Sequence, residues 1–275
     1  MNAPPPRRVG PFELGATLAC GHTAEASLAR HAGSASGWDV VLKRLMPHLA
    51  GDAEAARGLR EEAALLALLP HPPAPRLLAA DLDDPSPWLA LARAPGLALR
   101  PCDPRLVGAP PARLREVFEH LARALASLHA ARGADGALLG LAHGDLKPAH
   151  FLISEGPSPV PCHVIDYGNA RVLGAPLRPE PTGTPAYLAP ERHAGAPPSQ
   201  AADVHALGAM LWEFATGLRH HAAAPETLAL ALTSAGGLAD PILAALAPHP
   251  QARPSARDLA AALAAVEVAA PENRP

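Results

Sequence analysis

Apolar positions change their spacing along the chain, and the change predicts two parts of different structure. Before residue 95, short apolar runs separated by turn residues predict strands, and one stretch, residues 58–69, has its leucines at helical spacing. Beyond it, residues 112–130 form the clearest amphipathic helix. Its apolar stripe consists of Leu114, Val117, Phe118, Leu121, Leu125 and Leu128. The pattern predicts an α+β fold, with a strand-rich N-terminal part and a helical C-terminal part.

Two apolar runs in the C-terminal part each deliver an aspartate into a turn. Residues 143–153 read H-G-D-L-K-P-A-H-F-L-I, and residues 164–168 read V-I-D-Y-G. The two aspartates are Asp145 and Asp166. Such a pair is what a site needs when one carboxylate must orient a hydroxyl nucleophile and the other must hold a metal on a polyphosphate.

These segments resemble two motifs of protein kinases, the catalytic loop H-R-D-L-K-P-x-N and the D-F-G. Residues 182–191, T-G-T-P-A-Y-L-A-P-E, resemble the G-T-P-x-Y-x-A-P-E that ends the activation segment of Ser/Thr protein kinases. On these motifs the chain resembles the bacterial eukaryotic-like (Hanks-type) Ser/Thr protein kinases. The resemblance implies a two-lobed kinase-like fold, with a small β-rich N-lobe carrying one helix C and a larger α-helical C-lobe.

The resemblance covers nearly the whole chain. It implies a kinase-like domain over residues 12–266, divided into an N-lobe over 12–94, a hinge over 92–96 and a C-lobe over 97–266. We expect residues 1–11 to be a flexible N-terminus and residues 267–275 to be a tail. No internal repeat and no second domain is indicated.

Lys43 ends a strand-like run, residues 38–43, that resembles the V-A-I-K strand of the family. The chain has only two lysines among its 23 basic residues, and both, Lys43 and Lys147, stand where the family has lysine. A planar guanidinium does not replace a compact ammonium at a phosphate, so the coincidence has a chemical reason. The next helix resembles helix C and implies Glu62 as the carboxylate that pairs with Lys43, with Glu61 as the alternative one residue away.

The resemblance implies roles for four further side chains. Asp145 would accept a hydrogen bond from the substrate hydroxyl, and Lys147 would neutralise charge that develops on the transferred phosphoryl group. Thr184 would bridge toward both of them. Asp203, in a stretch that resembles the buried helix F of the family, would hold the backbone of the catalytic loop.

ATP is implied by the resemblance alone. The positions of the glycine-rich loop read Ala19, Gly21 and Ala24, and one glycine of three is by itself typical of an ordinary hairpin. The residues that would contact ATP are Ala19 and Gly21 at the loop, Ala26 and Val41 around adenine, Lys43 at the phosphates, and Ala92 and Ala94 at the hinge. The alternative interpretation of Ala26 and Val41 is that they are two unrelated strand residues.

The implied metal site departs from the family at one position. Asp166 would hold a metal between the β and γ phosphates, and His150 stands where the family has a metal-binding Asn. A neutral imidazole is a poorer ligand than an oxygen for Mg²⁺ and a better one for Mn²⁺ or Zn²⁺. The expected cofactors are therefore ATP with Mg²⁺, or with Mn²⁺ in its place. His-Phe-Leu at 150–152 also resembles the loop of bacterial lipopolysaccharide-core sugar kinases.

Three functions follow from these motifs. The preferred one is a serine/threonine protein kinase that transfers the γ-phosphoryl group of ATP to a protein hydroxyl; the alternatives are a pseudokinase that binds nucleotide as a scaffold, and a small-molecule (sugar) kinase. Gly144 replaces the arginine that clamps a phosphorylated activation segment in many kinases. After the D-Y-G turn, that segment (residues 166–191) contains three hydroxyls, those of Thr182, Thr184 and Tyr187. We therefore expect that phosphorylation of the segment is not required, and that a regulatory protein partner is an alternative form of control.

Composition removes several other classes of protein. A net charge of -3 and an aromatic fraction of 3% give no support to a nucleic-acid partner, which leaves a protein substrate as the expected partner. No stretch of about 18 uncharged apolar residues predicts a membrane span. Cys20, Cys102 and Cys162 are odd in number and widely spaced, which predicts free core thiols in a reducing, cytoplasmic compartment.

Overall fold

The structure, a computed structural model, describes residues 7–34, 37–101, 103–172, 174, 183–220 and 233–267. Residues 1–6 and 268–275, within the expected flexible N-terminus and tail, lie outside this part, as do Cys102 and Thr182. The chain forms two compact units, residues 1–95 and 96–275. The predicted lobe boundaries stay a prediction.

The N-terminal unit is built on one antiparallel sheet. Its six strands have the order β1-β2-β3-β4-β6-β5 within the described residues. The strands are β1 Arg8–Val9, β2 Phe12–Cys20, β3 Ala24–His31, β4 Val40–Leu45, β5 Leu77–Asp81 and β6 Trp88–Ala92. Alternate residues of neighbouring strands point to the same face and bury it as a core of Phe12, Leu14, Ala29, Val40, Leu42, Trp88 and Ala90.

Helix α1 (Ala53–Leu66) contacts strands β4, β5 and β6 of this sheet. It begins earlier than the leucine spacing predicts, because the side chain of Asp52 accepts hydrogen bonds from the backbone N–H groups of Glu54 and Ala55. Its buried face includes Leu59, Leu66 and the charged Glu62. The strands and this helix match the β-rich part that the sequence predicts.

The C-terminal unit is mainly helical. Its helices within the described residues are α2 Pro111–His129, α3 Pro190–His193, α4 Gln200–Thr216, α5 Ala239–Ala245 and α6 Ala256–Ala265. A small sheet of three strands, in the order β7-β8-β9, comprises β7 Leu97–Ala98, β8 Phe151–Ile153 and β9 Cys162–Val164. Together the two units confirm the predicted α+β kinase-like architecture.

Helix α4 is the centre of the C-terminal unit. Every residue from Ala202 to Phe214 is buried, and the helix contacts both α2 and α5. It is capped at its start by the Ser199 side chain, which accepts the backbone N–H of Ala202, and it ends at Gly217 with φ 72°. A helix buried all round is normally apolar all round, so the polar residues of α4 need partners inside the fold.

Two cysteines can be compared with the expectation of core thiols. Cys162 on β9 is buried, as expected, whereas Cys20 at the end of β2 is exposed, so the expectation is wrong for Cys20. A strand end that leads into a hairpin turn is a surface position, which explains the exposure. None of the helices described here is long and apolar enough to cross a membrane.

Stability should depend on pH through His205 of α4. Burial lowers the pKa of His205 to about 4, and the charges of Arg253 and His220 act in the same direction. In the unfolded chain the pKa returns to about 6.5, so as the pH falls the unfolded state takes up this proton first. The folded state therefore loses stability between pH ~6.5 and ~4.

We expect His205→Leu to reduce this loss by up to about 3 kcal/mol, measured as the difference between urea unfolding free energies at pH 7.5 and 4. Part of the loss should remain, because burial also lowers the pKa of His143 and His163. The exposed His249 supplies the control, and His249→Leu should behave like the wild type. An unchanged pH dependence in His205→Leu would contradict the prediction.

Candidate active site

In the N-terminal unit, Lys43 and Glu62 form an ion pair between β4 and α1. The Lys43 ammonium donates to both Glu62 oxygens, at 2.9 Å to Oε1 and 2.7 Å to Oε2. Glu62 is only 3% exposed. Glu61, one residue earlier, instead binds Arg57 at 3.0 Å. Of the two glutamates that the sequence left open, the structure therefore pairs Glu62 with Lys43.

Three of the residues predicted to contact the nucleotide share one face of the sheet. Ala26 on β3 is directly opposite Lys43, and Val41 precedes Lys43 by two residues on β4, so all three side chains point the same way. Ala26 and Val41 are only half-buried. The two small apolar side chains thus leave a partly uncovered surface beside the ammonium group of Lys43.

The other predicted nucleotide positions lie at two edges of the sheet. Ala19 pairs with Ala26 across β2 and β3, and the backbone N–H of Gly21 donates to the Ala24 carbonyl at 2.9 Å, which closes a tight hairpin turn. Ala92 ends β6 and Ala94 follows it, both half-buried. The hairpin and the strand end are the places at which the sequence predicts that backbone groups of this unit face a nucleotide.

In the C-terminal unit, a buried aspartate holds the loop that carries Asp145. Asp203, 2% exposed, accepts the backbone N–H of His143 at 2.7 Å and that of Gly144 at 3.0 Å. The Nε2 atom of His129 lies 3.0 Å from the same carboxylate. Two charge-assisted bonds to consecutive amides fix the path of the loop. Asp203 thus contacts the loop in the way that its position in the sequence implied.

Gly144 is required by the shape of this loop. Its φ is +80°, and a Cβ added there would lie 2.7 Å from the carbonyl oxygen of Asn169 and 3.2 Å from Pro198. Neither the backbone conformation nor the space suits a side chain. The glycine in the H-G-D sequence therefore lies where Asp203 and Asn169 leave room for backbone alone.

Asp145 lies between the two side chains that the sequence placed with it. The Thr184 hydroxyl donates to Asp145 Oδ1 at 2.7 Å, and the Lys147 ammonium donates to Oδ2 at 3.3 Å. The carboxylate is 9% exposed. Because each oxygen has its own donor, the plane of the carboxylate is fixed relative to the loop.

Asp166 and His150 also meet. His150 Nε2 lies 3.3 Å from Asp166 Oδ2, and His150 Nδ1 lies 2.8 Å from the Asp145 carbonyl oxygen. Asp166 has a φ of +67°, the one positive value at a non-glycine residue in the described chain, and its side chain is 46% exposed. Tyr167 is buried, and its hydroxyl donates to the Val164 carbonyl, so the turn is held from inside. The imidazole of His150 and the carboxylate of Asp166 are thus direct neighbours.

A polar network that the sequence did not predict holds the segment of Thr184. Thr184 precedes a 3-10 turn, Pro185–Tyr187, and the Tyr187 hydroxyl donates to Glu213 of α4 at 2.9 Å. Arg219 donates to the same hydroxyl at 3.0 Å and lies 3.4 Å from Glu213. Burial and the Glu213 carboxylate raise the pKa of Tyr187, so the hydroxyl keeps its proton and donates it. A glutamate inside the apolar run of α4 is the signal that could have indicated this network.

A second ion pair fastens the end of the same segment. Arg253 donates to both oxygens of Glu191, at 2.7 and 2.8 Å, and its side chain is fully buried. Burial alone would raise the pKa of Glu191, but the hydrogen bonds from Arg253 bring it below the ordinary value. The pair stays charged at neutral pH and joins the segment to the C-terminal helices.

The fit of Gly144 can be tested with a matched glycine. Gly136 has a nearly identical φ of +78°, but an added Cβ would meet nothing within 4 Å. We expect Gly136→Ala to lower the unfolding free energy by about 1 kcal/mol from backbone strain alone. Gly144→Ala should lower it by roughly 3 kcal/mol, because the clash with Asn169 adds to that strain.

Chemical denaturation of the two variants measures this difference, and the far-UV spectrum of each checks that it is folded. Equal losses in the two variants would show that the space around Gly144 is not the limiting factor. A larger loss in Gly136→Ala would exclude the close contact altogether.

Comparison with known proteins agrees with this geometry. The protein kinase domain family matches residues 12–263. The chain is 34% identical over 280 residues to the serine/threonine-protein kinase AfsK of Streptomyces griseus, with 94% of this chain and 32% of the relative covered. It is 36% identical over 188 residues to the serine/threonine-protein kinase PkaB of Streptomyces coelicolor, covering 65% of this chain and 43% of the relative.

A third relative is the serine/threonine-protein kinase PknB of Mycobacterium leprae, 30% identical over 221 residues, which are 78% of this chain and 33% of the relative. The chain thus spans less than half the length of these three relatives. The family match extends over nearly all of both compact units. On this match, and on the motifs that the structure brings together, the chain belongs to the protein kinase domain family.

Proposed function

We propose that this chain is a serine/threonine protein kinase that transfers the γ-phosphoryl group of ATP to a hydroxyl of a protein substrate. The observation that carries the proposal is the geometry of Asp145, whose two oxygens are held by Thr184 and Lys147 at 2.7 and 3.3 Å. The relatives named above are all called serine/threonine-protein kinases. Their names support a protein hydroxyl as the acceptor over a sugar.

Asp145 would act on the acceptor hydroxyl. Its fixed carboxylate would accept the hydroxyl proton as the bond from the acceptor oxygen to phosphorus forms and the bond from the γ-phosphorus to the leaving oxygen breaks. Lys147, beside it, would stabilise negative charge that develops on the transferred group. Thr184 would keep Asp145 oriented without taking part in the proton transfer.

Lys43 would bind the α and β phosphates. Its ammonium is oriented by the two bonds to Glu62, and a neutral residue at position 62 would weaken this orientation. Ala26 and Val41 would offer apolar surface to the adenine ring, and the hairpin at Ala19 and Gly21 would offer backbone N–H groups to phosphates. Backbone groups of Ala92 and Ala94 would meet the adenine edge.

The site also fits a divalent cation. Asp166 supplies a half-exposed carboxylate and His150 a buried imidazole nitrogen beside it. When bound, ATP and its cation supply the phosphoryl group and neutralise the phosphates that surround it. No cluster of three or more His, Cys, Asp or Glu side chains among the described residues could hold a metal alone. Nucleotide phosphates and water would therefore supply the remaining ligands of the cation.

The segment that ends at Glu191 should be competent without phosphorylation. Thr184, Tyr187 and Glu191 are each held by side chains of the same unit, and Gly144 has no side chain to clamp a phosphate. Charge introduced by phosphorylation is therefore not needed to order residues 183–191. A regulatory protein partner and a cytoplasmic location stay predictions.

Transfer of labelled phosphate from ATP to a generic protein substrate tests the proposal. We expect Asp145→Asn to lower the rate by about 10²–10⁴-fold, because an amide cannot take the hydroxyl proton. The exposed Asp135, in a turn of the same unit, is the control, and Asp135→Asn should transfer at the wild-type rate. Absence of transfer by the wild type, or equal rates in wild type and Asp145→Asn, would refute the proposal.

The neighbouring glutamates of α1 provide a second, matched test. We expect Glu62→Gln to raise the KM for ATP and lower kcat by about 10-fold or more, because the charge that Glu62 places against the Lys43 ammonium is lost. Glu61→Gln removes a surface pair with Arg57 and should change neither constant appreciably. Steady-state kinetics at varied ATP concentration distinguishes the two variants. Equal effects of Glu62→Gln and Glu61→Gln would exclude Glu62 as the functional partner of Lys43.

A further inference from the structure

We infer that Arg93 and Trp38 are positioning residues of the nucleotide site, and that they fix the strand end whose backbone would bind the edge of the adenine ring. The inference rests on the proposed function, in which backbone groups of Ala92 and Ala94 meet adenine. It goes beyond that function by naming two side chains that act through the backbone and set the preference for adenine over another purine.

Arg93 binds the start of β4 with both its backbone and its side chain. Its backbone N–H donates to the Asp39 carbonyl at 2.9 Å, and its Nη1 donates to the Trp38 carbonyl at 3.1 Å. The last residue pair of the two strands, Val40 with Ala92, lies next to these bonds. The side chain of Arg93 thus extends the pairing of β4 and β6 to the point where β6 leaves the sheet.

The direction of the Arg93 backbone determines the direction of its two neighbours. In an extended chain, successive residues direct their backbone groups to opposite flanks. The Ala92 N–H faces the flank of β5, where it donates to the Arg76 carbonyl at 2.8 Å, and the Arg93 N–H faces β4. Ala94, the next residue, is then directed to the same flank as Ala92. With Arg93 held against β4, the Ala92 carbonyl and the Ala94 N–H therefore offer an acceptor and a donor on one side of the chain.

Trp38 lies in a loop, but its ring is packed against two strands. A Cβ added to Gly15 of β2 would lie 3.0 Å from two carbons of the ring, so the indole lies directly on this glycine. The Arg30 guanidinium of β3 lies over the ring, 4.9 Å from its centre, where a cation and an aromatic ring attract each other. These contacts fix Trp38, and with it the carbonyl to which Arg93 donates.

Arg30 is itself held by a buried carboxylate. Glu13 of β2, 8% exposed, accepts from Arg30 Nε at 3.1 Å and from Arg30 Nη2 at 3.0 Å. Two bonds to one carboxylate fix the orientation of a guanidinium as well as its distance. The contacts therefore form one continuous series, from Glu13 through Arg30, Trp38 and Arg93 to the backbone at the end of β6.

Adenine has the hydrogen-bonding groups that this strand end fits. Its amino group donates and the neighbouring ring nitrogen accepts, which complements a carbonyl and an N–H. In hypoxanthine, the base of inosine, a carbonyl replaces the amino group and the ring nitrogen carries a hydrogen, so both groups are reversed. A backbone held in one position rejects the reversed pattern, because acceptor would face acceptor and donor would face donor. A backbone that can shift loses part of this discrimination.

Binding of ADP and of inosine diphosphate to the full chain, measured by calorimetry with Mg²⁺ present, tests the inference. The two nucleotides share ribose and phosphates and differ at the purine edge. We expect the wild type to bind ADP more tightly. Arg93→Ala and Trp38→Ala should each raise the dissociation constant of ADP by about 5- to 10-fold and leave that of inosine diphosphate nearly unchanged. A general weakening of the fold would instead raise both constants.

Two further variants serve as controls. Trp38→Phe keeps an aromatic ring against Gly15 and Arg30, and it should restore most of the affinity for ADP. Arg76→Ala removes an exposed arginine beside Ala92 but keeps the carbonyl to which Ala92 donates, so it should bind both nucleotides like the wild type.

Three results would overturn the inference. The first is a wild type that binds the two nucleotides equally or binds neither of them. The second is an unchanged ratio of the two dissociation constants in folded Arg93→Ala or folded Trp38→Ala. The third is a Trp38→Phe variant that binds ADP as weakly as Trp38→Ala, which would exclude the packing of the ring as the cause.

The inference and the proposed kinase activity can fail separately. A preference for ADP that depends on Arg93 and Trp38, in a chain that transfers no phosphate, would support the inference and refute the kinase. Phosphate transfer by the wild type, together with an unchanged ratio in either variant, would support the kinase and refute the inference.

Discussion

The carboxylate of Asp203 is the constraint on which the C-terminal unit depends. A carboxylate is costly to bury, and the cost is offset only if its oxygens accept well-formed hydrogen bonds. Here they accept the amides of His143 and Gly144, two consecutive groups of one loop. Where these two bonds form, the chain turns with a φ of +80° at Gly144. The stability of the buried helix and the position of Asp145 are thus parts of one interaction.

The same helix also holds the other side of the site. Asp203 anchors the loop of Asp145, and Glu213, ten residues further along α4, anchors the turn after Thr184 through Tyr187. At 1.5 Å per residue the two anchors are about 15 Å apart along a rigid rod. The contact between Thr184 and Asp145 closes this frame. The relative position of the Asp145 loop and the Thr184 turn is therefore set by α4. Because α4 is itself closely packed, neither segment can move far.

The sequence predicted what is local or carried by motifs, and it missed what depends on distant neighbours. The strands, the buried helix, Asp203 and the residues around Asp145 were all indicated by spacing and resemblance. The start of α1 was placed late, because a cap outweighs leucine periodicity at a helix end. The Tyr187–Glu213–Arg219 network joins positions up to 32 residues apart, and no periodicity encodes such a pairing. The choice between Glu61 and Glu62 likewise required the packing of α1 on the sheet.

His150 shows how a departure from a motif can keep its geometry. An amide at this position could donate to the Asp145 carbonyl with its nitrogen and face Asp166 with its oxygen. The imidazole performs the same two tasks with its two nitrogens, at 2.8 and 3.3 Å. Loop support is therefore retained, and the atom presented to Asp166 changes from oxygen to nitrogen. Because the ring is buried and fixed, the change acts on ligand chemistry and leaves the backbone that carries Asp145 in place.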